Sequence, residues 1–465
     1  MGQATRLVRP RSVTGDGEGL ISHAGLVWLG EVADRSRLTA GLRLAMAGVP
    51  RRRHDPGVTL AQMVVALADG AVCVSDLATV RDQPGLFGPV ASQTTAWRTI
   101  GGLGPDEFRR LAGARAAARA AAWAAGAGPA GDETIVDFDA TIVRTRADKQ
   151  DAAATYKRTF GHHPLLAMIA ETGEVLTGML RPGNAGANTA ADHVAVLGAA
   201  VAQLPGAWQR GHAPGDAPQL ADKKLVARAD AGGASHWFAE ECRARNITYS
   251  LGYHIDHRVR DALLLVQEED WQPAVEPGGH HRDGAQVAEL TDLVNLQNWP
   301  DGTRLIVRRE RPHPGAQLSL FDTIEGLRHT AFITDNAGPD ITRLELRQRQ
   351  RARAEAVIRD TKACGLANLP FDSVADNDAW MHLTFSANDL LAWARHITLT
   401  GPLRRATPKT IRYRLLHVAA HVSPRRLRLD RSWPWTPTLL DALDRTRTRL
   451  QPLTVTPAPA IHPGL

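Results

Sequence analysis

The spacing of apolar residues changes along the chain and divides it into segments. The first segment has apolar positions every three or four residues, which is typical of amphipathic helices. The second alternates β-rich and helical runs, the third holds short β-like pieces between Pro and Gly turns, and the fourth is again helical. We predict this organisation: residues 1–20 disordered, 21–130 a helical domain, 131–255 the first part of an α/β core, 256–339 a β-rich insertion, 340–400 the closing helices of the core, and 401–465 a basic C-terminal segment.

The second segment predicts three strands, a helix, a strand, a helix and a strand. Its first strand, residues 135–143, carries Asp137 and Asp139, which share a face because strand side chains alternate. Its fourth strand, residues 225–229, is followed directly by Asp230. This order is that of a ribonuclease H-like core, in which the first and fourth strands are neighbours. The acids of the two strands are therefore expected to meet.

A helix is predicted after the β-rich insertion, with Asp340 as its N-cap and Gly365 as its C-terminal cap. At about 100° per residue, four polar side chains fall within a stripe about 60° wide. These side chains are Gln348, Arg351, Glu355 and Lys362. A carboxylate flanked by cations suits a site where an acid holds metal and the bases hold DNA phosphates. An exposed helix with an ordinary Arg–Glu pair explains the same stripe equally well.

Three acids stand out as candidate catalytic residues: Asp139 within a strand, Asp230 at a strand end and Glu355 on a helix. Three carboxylates can hold two magnesium ions about 3.5–4 Å apart, the arrangement that serves in-line phosphoryl transfer. Competing assignments remain open at this stage. Asp137 is the second choice for the first acid, and Glu345 and Asp360 compete with Glu355.

The motifs around these acids resemble those of the DDE transposases of bacterial insertion sequences. The branch is the one with a Tyr-x2-Arg-x3-Glu-x6-Lys signature, which Arg351, Glu355 and Lys362 match while Gln348 replaces the Tyr. The first motif is similar to Asp-Ala-Thr at 139–141 and the second to Arg-Ala-Asp-Ala-Gly-Gly at 228–233. Phe-Gly-His-His-Pro-Leu-Leu at 160–166 and the text at 181–193 resemble the insertion-sequence group numbered thirteen-eighty. The resemblance covers about residues 20–400 and favours Asp139 over Asp137.

The resemblance implies an enzyme that cuts DNA at terminal inverted repeats and joins the 3′ ends to target DNA. It implies two Mg²⁺ ions, replaceable by Mn²⁺, held by Asp139, Asp230 and Glu355. It also implies end recognition by the N-terminal domain and a homodimer in the synaptic complex. The family stacks a displaced base on a Trp from the insertion, for which Trp271 and Trp299 are the candidates, although core packing suits either residue. A non-transposing nuclease and a catalytically silent DNA-binding repressor are the alternatives.

Composition adds a possible partner and a compartment. The formal charge of +6 over 465 residues suits a polyanion such as double-stranded DNA. Basic residues of the C-terminal segment are candidates for phosphate contacts, in addition to Gln348, Arg351 and Lys362 of the helical stripe. Those in the C-terminal segment are Arg404, Arg405, Lys409, Arg425, Arg426 and Arg428. Three scattered cysteines predict neither a disulfide framework nor a zinc motif. No apolar run reaches the length of a membrane span, so we expect a cytoplasmic protein. The resemblance implies that it is bacterial and acts at the nucleoid.

Overall fold

A computed structural model describes residues 15–50, 53–186, 189–312 and 326–451. Most of the predicted N-terminal disorder, the Pro-rich end of the C-terminal segment and one β-like piece of the insertion lie outside these residues. Within them, each helix and strand is given below by its bounds.

The helices of seven residues or more are α1 (Leu26–Arg35), α2 (Leu38–Ala45), α3 (Pro56–Asp69), α4 (Gln93–Ile100), α5 (Pro105–Ala122), α6 (Ala190–Ala202), α7 (His236–Ala244), α8 (His257–Leu263), α9 (Ile341–Arg349), α10 (Arg353–Thr361), α11 (Val374–Thr398) and α12 (Thr436–Arg449). The strands are β1 (Leu20–Ile21), β2 (Glu133–Ala140), β3 (Val143–Arg144), β4 (Ala153–Ala154), β5 (Phe160–His162), β6 (Leu165–Ile169), β7 (Val175–Met179), β8 (Lys224–Ala229), β9 (Ile247–Tyr253), β10 (Gln272–Val275), β11 (His281–Glu289), β12 (Arg304–Glu310), β13 (Arg328–Thr334), β14 (Ala420–Ser423) and β15 (Arg426–Leu429).

The main sheet has nine strands in the order β10-β11-β12-β13-β9-β8-β2-β6-β7. Strand β2 pairs antiparallel with β6 and parallel with β8, and β8 pairs parallel with β9. The predicted adjacency of the first and fourth core strands is therefore confirmed. The β-rich segment continues the same sheet, because β13 pairs antiparallel with β9. The insertion is thus joined to the core by backbone hydrogen bonds.

Helices cover both faces of the central strands. On one face α6 contacts β6 and β7, and α7 contacts β9, around buried Phe138, Phe238 and Tyr249. On the other face α11 is buried along most of its length and contacts β7, α1, α3 and α12. Cover on both faces leaves the parallel strands β8 and β9 buried along nearly their whole length, including the polar residues Arg228 and Ser250.

The N-terminal helices share one apolar cluster with the closing helices and the C-terminal segment. Trp28 and Met63 belong to the same cluster as Trp380 of α11 and Leu439 of α12. Strand β1 pairs with β14, which ties the two ends of the described chain together. The boundaries predicted near residues 130 and 400 therefore separate segments that pack against each other in a common core.

Among the described residues no single helix is long and apolar enough to cross a membrane. A bent pair, Pro56–Asp69 with Val74–Arg81, reaches the required length and composition only when its two helices are taken together.

Candidate active site

Two of the predicted acids lie side by side because of the sheet register. In the parallel pair of β2 and β8, Phe138 is opposite Ala229, so the next residues, Asp139 and Asp230, reach the same edge. Neighbouring strands are about 4.8 Å apart, which brings the two carboxylates within reach of one cation. Gly252 of β9 lets the turn after Asp230 approach, because a Cβ there would lie 2.4 Å from the backbone nitrogen of Ala231.

Arg351 joins the two acids. Its Nη1 donates to Oδ2 of Asp139 at 3.1 Å, and its Nη2 lies 3.9 Å from Oδ2 of Asp230. Oδ1 of Asp230 accepts a hydrogen bond from the backbone of Gly233 at 3.0 Å. Burial raises the pKa of Asp139 above its usual value; Arg351 lowers the pKa in part, and the charge of Asp230 raises it further. The two acids thus form a negative pair that needs a cation.

Asp137 is on the same face of β2 but is already neutralised. Its two oxygens accept from Nε and Nη2 of Arg228 at 2.6 and 2.8 Å, and both side chains are about 1% exposed. Arg228 also donates to the backbone oxygen of Arg347 on α9. Burial raises the pKa of Asp137, and the hydrogen bonds and charge of Arg228 oppose that rise. Asp137 therefore serves as an internal counter-ion for Arg228, whereas Asp139 is only partly buried and contacts Arg351, which lines the cleft described next.

Glu355 contributes a third carboxylate from helix α10. It lines a cleft of about 590 Å³ together with Asp230, Gln348 and Arg351. Glu355 is exposed and makes no hydrogen bond or ion pair with any residue in the described part of the chain. Its competitor Glu345 lines the same cleft, but it is 3% exposed and is ion-paired with Arg308 and Arg349.

The helix that carries Glu355 is not continuous as predicted. Asp340 does cap it, accepting from the backbone nitrogens of Thr342 and Arg343, and Gly365 ends it at a φ of 104°. Between these ends a 3₁₀ turn, Gln350–Ala352, separates α9 from α10. This turn contains Arg351 and follows Gln348. The 3₁₀ turn therefore changes the direction of the polar side chains at the point where Arg351 contacts Asp139.

Comparisons with known proteins identify the family of this chain. A family model described as "Transposase DDE domain group 1" matches residues 7–451. The chain belongs to this family. Membership identifies a transposase of the metal-dependent DDE type. A search of curated proteins finds no match. Seven chains of solved structures match. One is from the cryo-EM structure of a piggyBac transposase synaptic complex with hairpin DNA, with 9% identity, coverage of 93% of this chain and 82% of that chain, and a TM-score of 0.41.

The donor set of this transposase fits a divalent metal. Asp139 and Asp230 converge on a guanidinium, so a positive charge already stands between their oxygens. Carboxylate oxygen is the hard donor that Mg²⁺ and Mn²⁺ bind. Glu355 adds a carboxylate from the cleft that Asp230 lines, and it has no ion pair with a described residue. A metal entering here would compete with Arg351 for Asp139.

The contacts of the Gln348 side chain differ from those predicted for it. Its Oε1 accepts from Oγ of Ser250 at 2.8 Å, and its Nε2 donates to the backbone oxygen of Ala229 at 3.1 Å. The amide is thus bonded to β9 and to the last residue of β8, immediately before Asp230. Sequence reasoning treated the amide as available to a DNA phosphate, whereas in this structure it ties α9 to the strand end that carries the second acid. Its contact with DNA stays a prediction.

We expect Gln348→Ala to reduce strand cleavage about tenfold, because two hydrogen bonds of roughly 1 kcal/mol each no longer hold the segment before Asp230. DNA affinity should change little, which separates positioning from phosphate binding. The measurement is single-turnover cleavage beside a gel-shift titration. Gln350→Ala is the matched control, since its side chain has no hydrogen bond to a described residue. Unchanged cleavage with weakened DNA binding would contradict the positioning role.

Lys362 lies apart from the other members of the predicted stripe. It does not line the acid cleft, and its Nζ donates to the backbone oxygen of Ile142 at 2.9 Å. Burial lowers the pKa of Lys362, and the charges of Lys157 and Arg144 lower it further. The three cations therefore form one positive cluster beside the β2–β3 connection. A phosphate contact by Lys362 would have to come from that side.

Sequence reasoning missed a second cleft, of about 870 Å³, next to this cluster. Arg144, Arg146 and Lys149 line it, as does Trp97 of α4, whose side chain is exposed. The signal was present in the sequence as a basic run directly after the first acidic strand.

The two candidate tryptophans have different surroundings. Trp271 is 8% exposed and packs under the guanidinium of Arg309 at 4.1 Å. Trp299 is half-buried and stacks on His236 at 4.3 Å. Trp299 lines a smaller cleft that shares Tyr253 and other residues with the acid cleft. Trp299 thus lines a cleft that adjoins the acid cleft, whereas Trp271 packs against Arg309.

The basic residues predicted in the C-terminal segment are all exposed, and none is ion-paired to a residue that the structure describes. They are Arg404, Arg405, Lys409, Arg425, Arg426 and Arg428. Three of them belong to the hairpin of β14 and β15. Unpaired exposed cations are the groups that phosphates can engage without first breaking a salt bridge.

Proposed function

We propose that this transposase cuts DNA at the terminal inverted repeats of a bacterial insertion sequence and joins the 3′ ends to target DNA. One observation carries the proposal: Asp139 and Asp230 meet at Arg351, and Asp230, Arg351 and Glu355 line one cleft. The proposed architecture is a ribonuclease H-like core with a β-rich insertion, in which the insertion supplies Arg328 as part of the cleft wall.

The protein residues have separable tasks in this proposal. Asp139, Asp230 and Glu355 would hold two Mg²⁺ ions, which when bound activate the attacking oxygen and stabilise the leaving one. Arg351 holds the acids in place and offers a charged donor to a phosphate. Gln348 fixes the strand end before Asp230. Catalysis rests on positioning and charge neutralisation, without a covalent enzyme intermediate.

Double-stranded DNA is the proposed partner, bound as transposon ends and as target. Two basic surfaces support this: the exposed C-terminal hairpin, and the cluster of exposed Arg144 and Lys157 with half-buried Lys362 beside the acidic strand. A homodimer that pairs two ends is proposed from the family resemblance. Trp299 is the residue proposed to stack an unpaired base, because it lies beside the acid cleft.

The test uses the DNA that flanks the gene. Its outer ends, placed on a donor plasmid, should be cut by the purified chain in Mg²⁺ and joined to a target plasmid. Scrambled ends are the control. Cleavage of both substrates without joining would favour the non-transposing nuclease. Specific binding without cleavage would favour the silent repressor.

The acid limb of the cleavage–pH profile should report Asp139. Its pKa is raised mainly by burial and is lowered in part by Arg351. Since only the ionised form holds metal, activity falls as the pH drops through the folded pKa. Arg351→Ala removes a lowering charge, so the acid limb should move to higher pH. The rate at neutral pH should also drop about 10- to 100-fold, because a charged hydrogen bond is worth about 1.5–3 kcal/mol.

Arg351→Lys is the control for this experiment. It keeps the positive charge but cannot contact two acids at once, so its profile should lie between the wild type and Arg351→Ala. If Arg351→Ala left both the rate and the acid limb unchanged, Arg351 would have no role in holding the acids.

The C-terminal hairpin should contribute to the salt dependence of DNA binding. The triple variant Arg425→Ala, Arg426→Ala and Arg428→Ala should lower the slope of log K against log salt by about 2–3, since each phosphate contact contributes about 0.9. The matched control removes three exposed arginines that are already ion-paired. They are Arg210 with Asp222, Arg258 with Asp256, and Arg447 with Glu31. Equal slopes for the two triple variants would remove the hairpin from the DNA interface.

A further inference from the structure

Three side chains from distant parts of the chain converge away from the acid cleft. Nδ1 of His23 lies 2.6 Å from Oδ2 of Asp69, and Nε2 of His417 lies 2.9 Å from Oδ1 of the same carboxylate. The two imidazole rings are 4.1 Å apart between centroids. None of the three residues lines the acid cleft, and the proposed function does not use them.

The backbone places the two histidines before any ligand is considered. Ala24, next to His23, donates to the backbone oxygen of Val418 at 3.0 Å, and Gly25 donates to that of Leu416 at 3.1 Å. These bonds join the chain segments on either side of the two rings. His23 itself has a φ of 56°, in the left-handed region that few non-glycine residues adopt. The two rings are therefore held in position by main-chain contacts.

The carboxylate lies where a negative charge is unfavourable. Asp69 is the last residue of α3, and its side chain is only 4% exposed. A helix C-terminus carries partial negative charge, so a buried anion there needs a nearby cation. Arg412 reaches this helix end, but it donates to the backbone oxygens of Ala68 and Leu67. Burial raises the pKa of Asp69, but the hydrogen bonds and charges of His23 and His417 outweigh it and leave the pKa lowered.

We propose that His23, Asp69 and His417 bind one divalent transition-metal ion of the zinc class. Their ligand atoms, two imidazole nitrogens and a carboxylate oxygen, lie within 4.8 Å of one another. This nitrogen and oxygen set suits Zn²⁺ or Co²⁺, whereas Mg²⁺ prefers oxygen alone. The histidine side chains are 26% and 39% exposed, which leaves a path for the ion and a position for water. Each ring would bind the ion through the nitrogen that faces Asp69, with its proton on the other ring nitrogen.

The ion would fasten three segments at one point. His23 precedes α1, Asp69 ends α3, and His417 lies between the helical turn Pro408–Ile411 and β14. These segments carry the N-terminal helices and the basic C-terminal hairpin. A metal here would thus be structural, and its loss should loosen the junction without touching the acids.

The test measures metal binding directly. Metal-free full-length chain is titrated with Co²⁺ and with Zn²⁺ in an excess of Mg²⁺, which occupies the oxygen-only acid site. We expect one equivalent of Co²⁺ with the visible absorption of a low-coordinate nitrogen and oxygen site, displaced by one equivalent of Zn²⁺. Zn²⁺ should also raise the melting temperature. His417→Gln and His23→Asn should each weaken Zn²⁺ binding at least tenfold, Asn being chosen because it tolerates a positive φ.

His421→Ala is the matched control, because His421 is exposed on the adjacent β14 and outside the cluster. It should bind Zn²⁺ as the wild type does. If the wild type took up no Co²⁺ in excess Mg²⁺, hydrogen bonds alone would hold the three side chains together and the proposal would fail. Equal Zn²⁺ affinity in wild type, His417→Gln and His23→Asn would also overturn it. The wild-type spectrum needs no variant, so a folding defect in a variant does not remove the test.

Discussion

Replacing Asp139, Asp230 or Glu355 singly by its neutral isostere, Asn or Gln, should lower strand cleavage about 10³-fold or more. A metal held by these acids supplies several kcal/mol of charge stabilisation, and each 1.36 kcal/mol is a factor of ten in rate. Binding to DNA ends should persist, because exposed basic residues outside the acid cleft are expected to provide most of the affinity. Single-turnover cleavage and gel shifts on the same preparations measure both quantities.

Asp360→Asn is the control for the triad. Asp360 is on the same helix as Glu355 but pairs with Arg359 and does not line the cleft. It should cleave at the wild-type rate. If DNA affinity fell as far as cleavage in all three triad variants, the acids would be acting on folding or DNA binding, and the assignment would be wrong.

Breaking the buried pair of Asp137 and Arg228 should instead destabilise the fold. Either Asp137→Ala or Arg228→Ala leaves an uncompensated charge at a position about 1% exposed, which costs about 3–5 kcal/mol of the free energy of unfolding. The measurement is the denaturant midpoint and the melting temperature. At a temperature where the fold persists, Asp137→Ala should retain more cleavage activity than Asp139→Ala.

The double variant Asp137→Val with Arg228→Met provides the check. Replacing both members of a buried ion pair by apolar groups is often neutral, so most of the lost stability should return. A double variant as unstable as the single ones would mean that Arg228 acts mainly through its contact with Arg347. Cleavage lost in Asp137→Asn at full stability would return Asp137 to the catalytic set.

The strand order and the meeting of two acids could be predicted because both follow from local patterns. Alternation placed Asp139 on one face of its strand, and the order of strands placed that strand beside the one ending at Asp230. Helix caps were equally readable, and Asp340 caps as expected. The assignment of Asp139, Asp230 and Glu355 as the catalytic set stays a prediction that the triad variants test.

Features that depend on contacts distant in sequence could not be predicted. The amide of Gln348 is used by two strands about 100 residues away, and nothing near Gln348 indicates this. The 3₁₀ turn at Gln350–Ala352 has a composition that suits a continuous helix. The buried pairing of Arg119 with Glu174 and Asp389 likewise joins three segments whose sequences give no sign of it.

The shared core of the two ends of the chain has a consequence for synthesis. Helices α1 to α5 leave the ribosome long before α11, whose last residue lies roughly 280 positions after the end of α5. At ~5–20 residues per second the nascent N-terminal helices wait roughly 14–55 seconds for the surface that covers Trp28 and Met63. A polypeptide terminated before residue 374 would never acquire that cover. Such fragments should be cleared by proteases, and they should not accumulate as DNA-binding competitors of the full-length transposase.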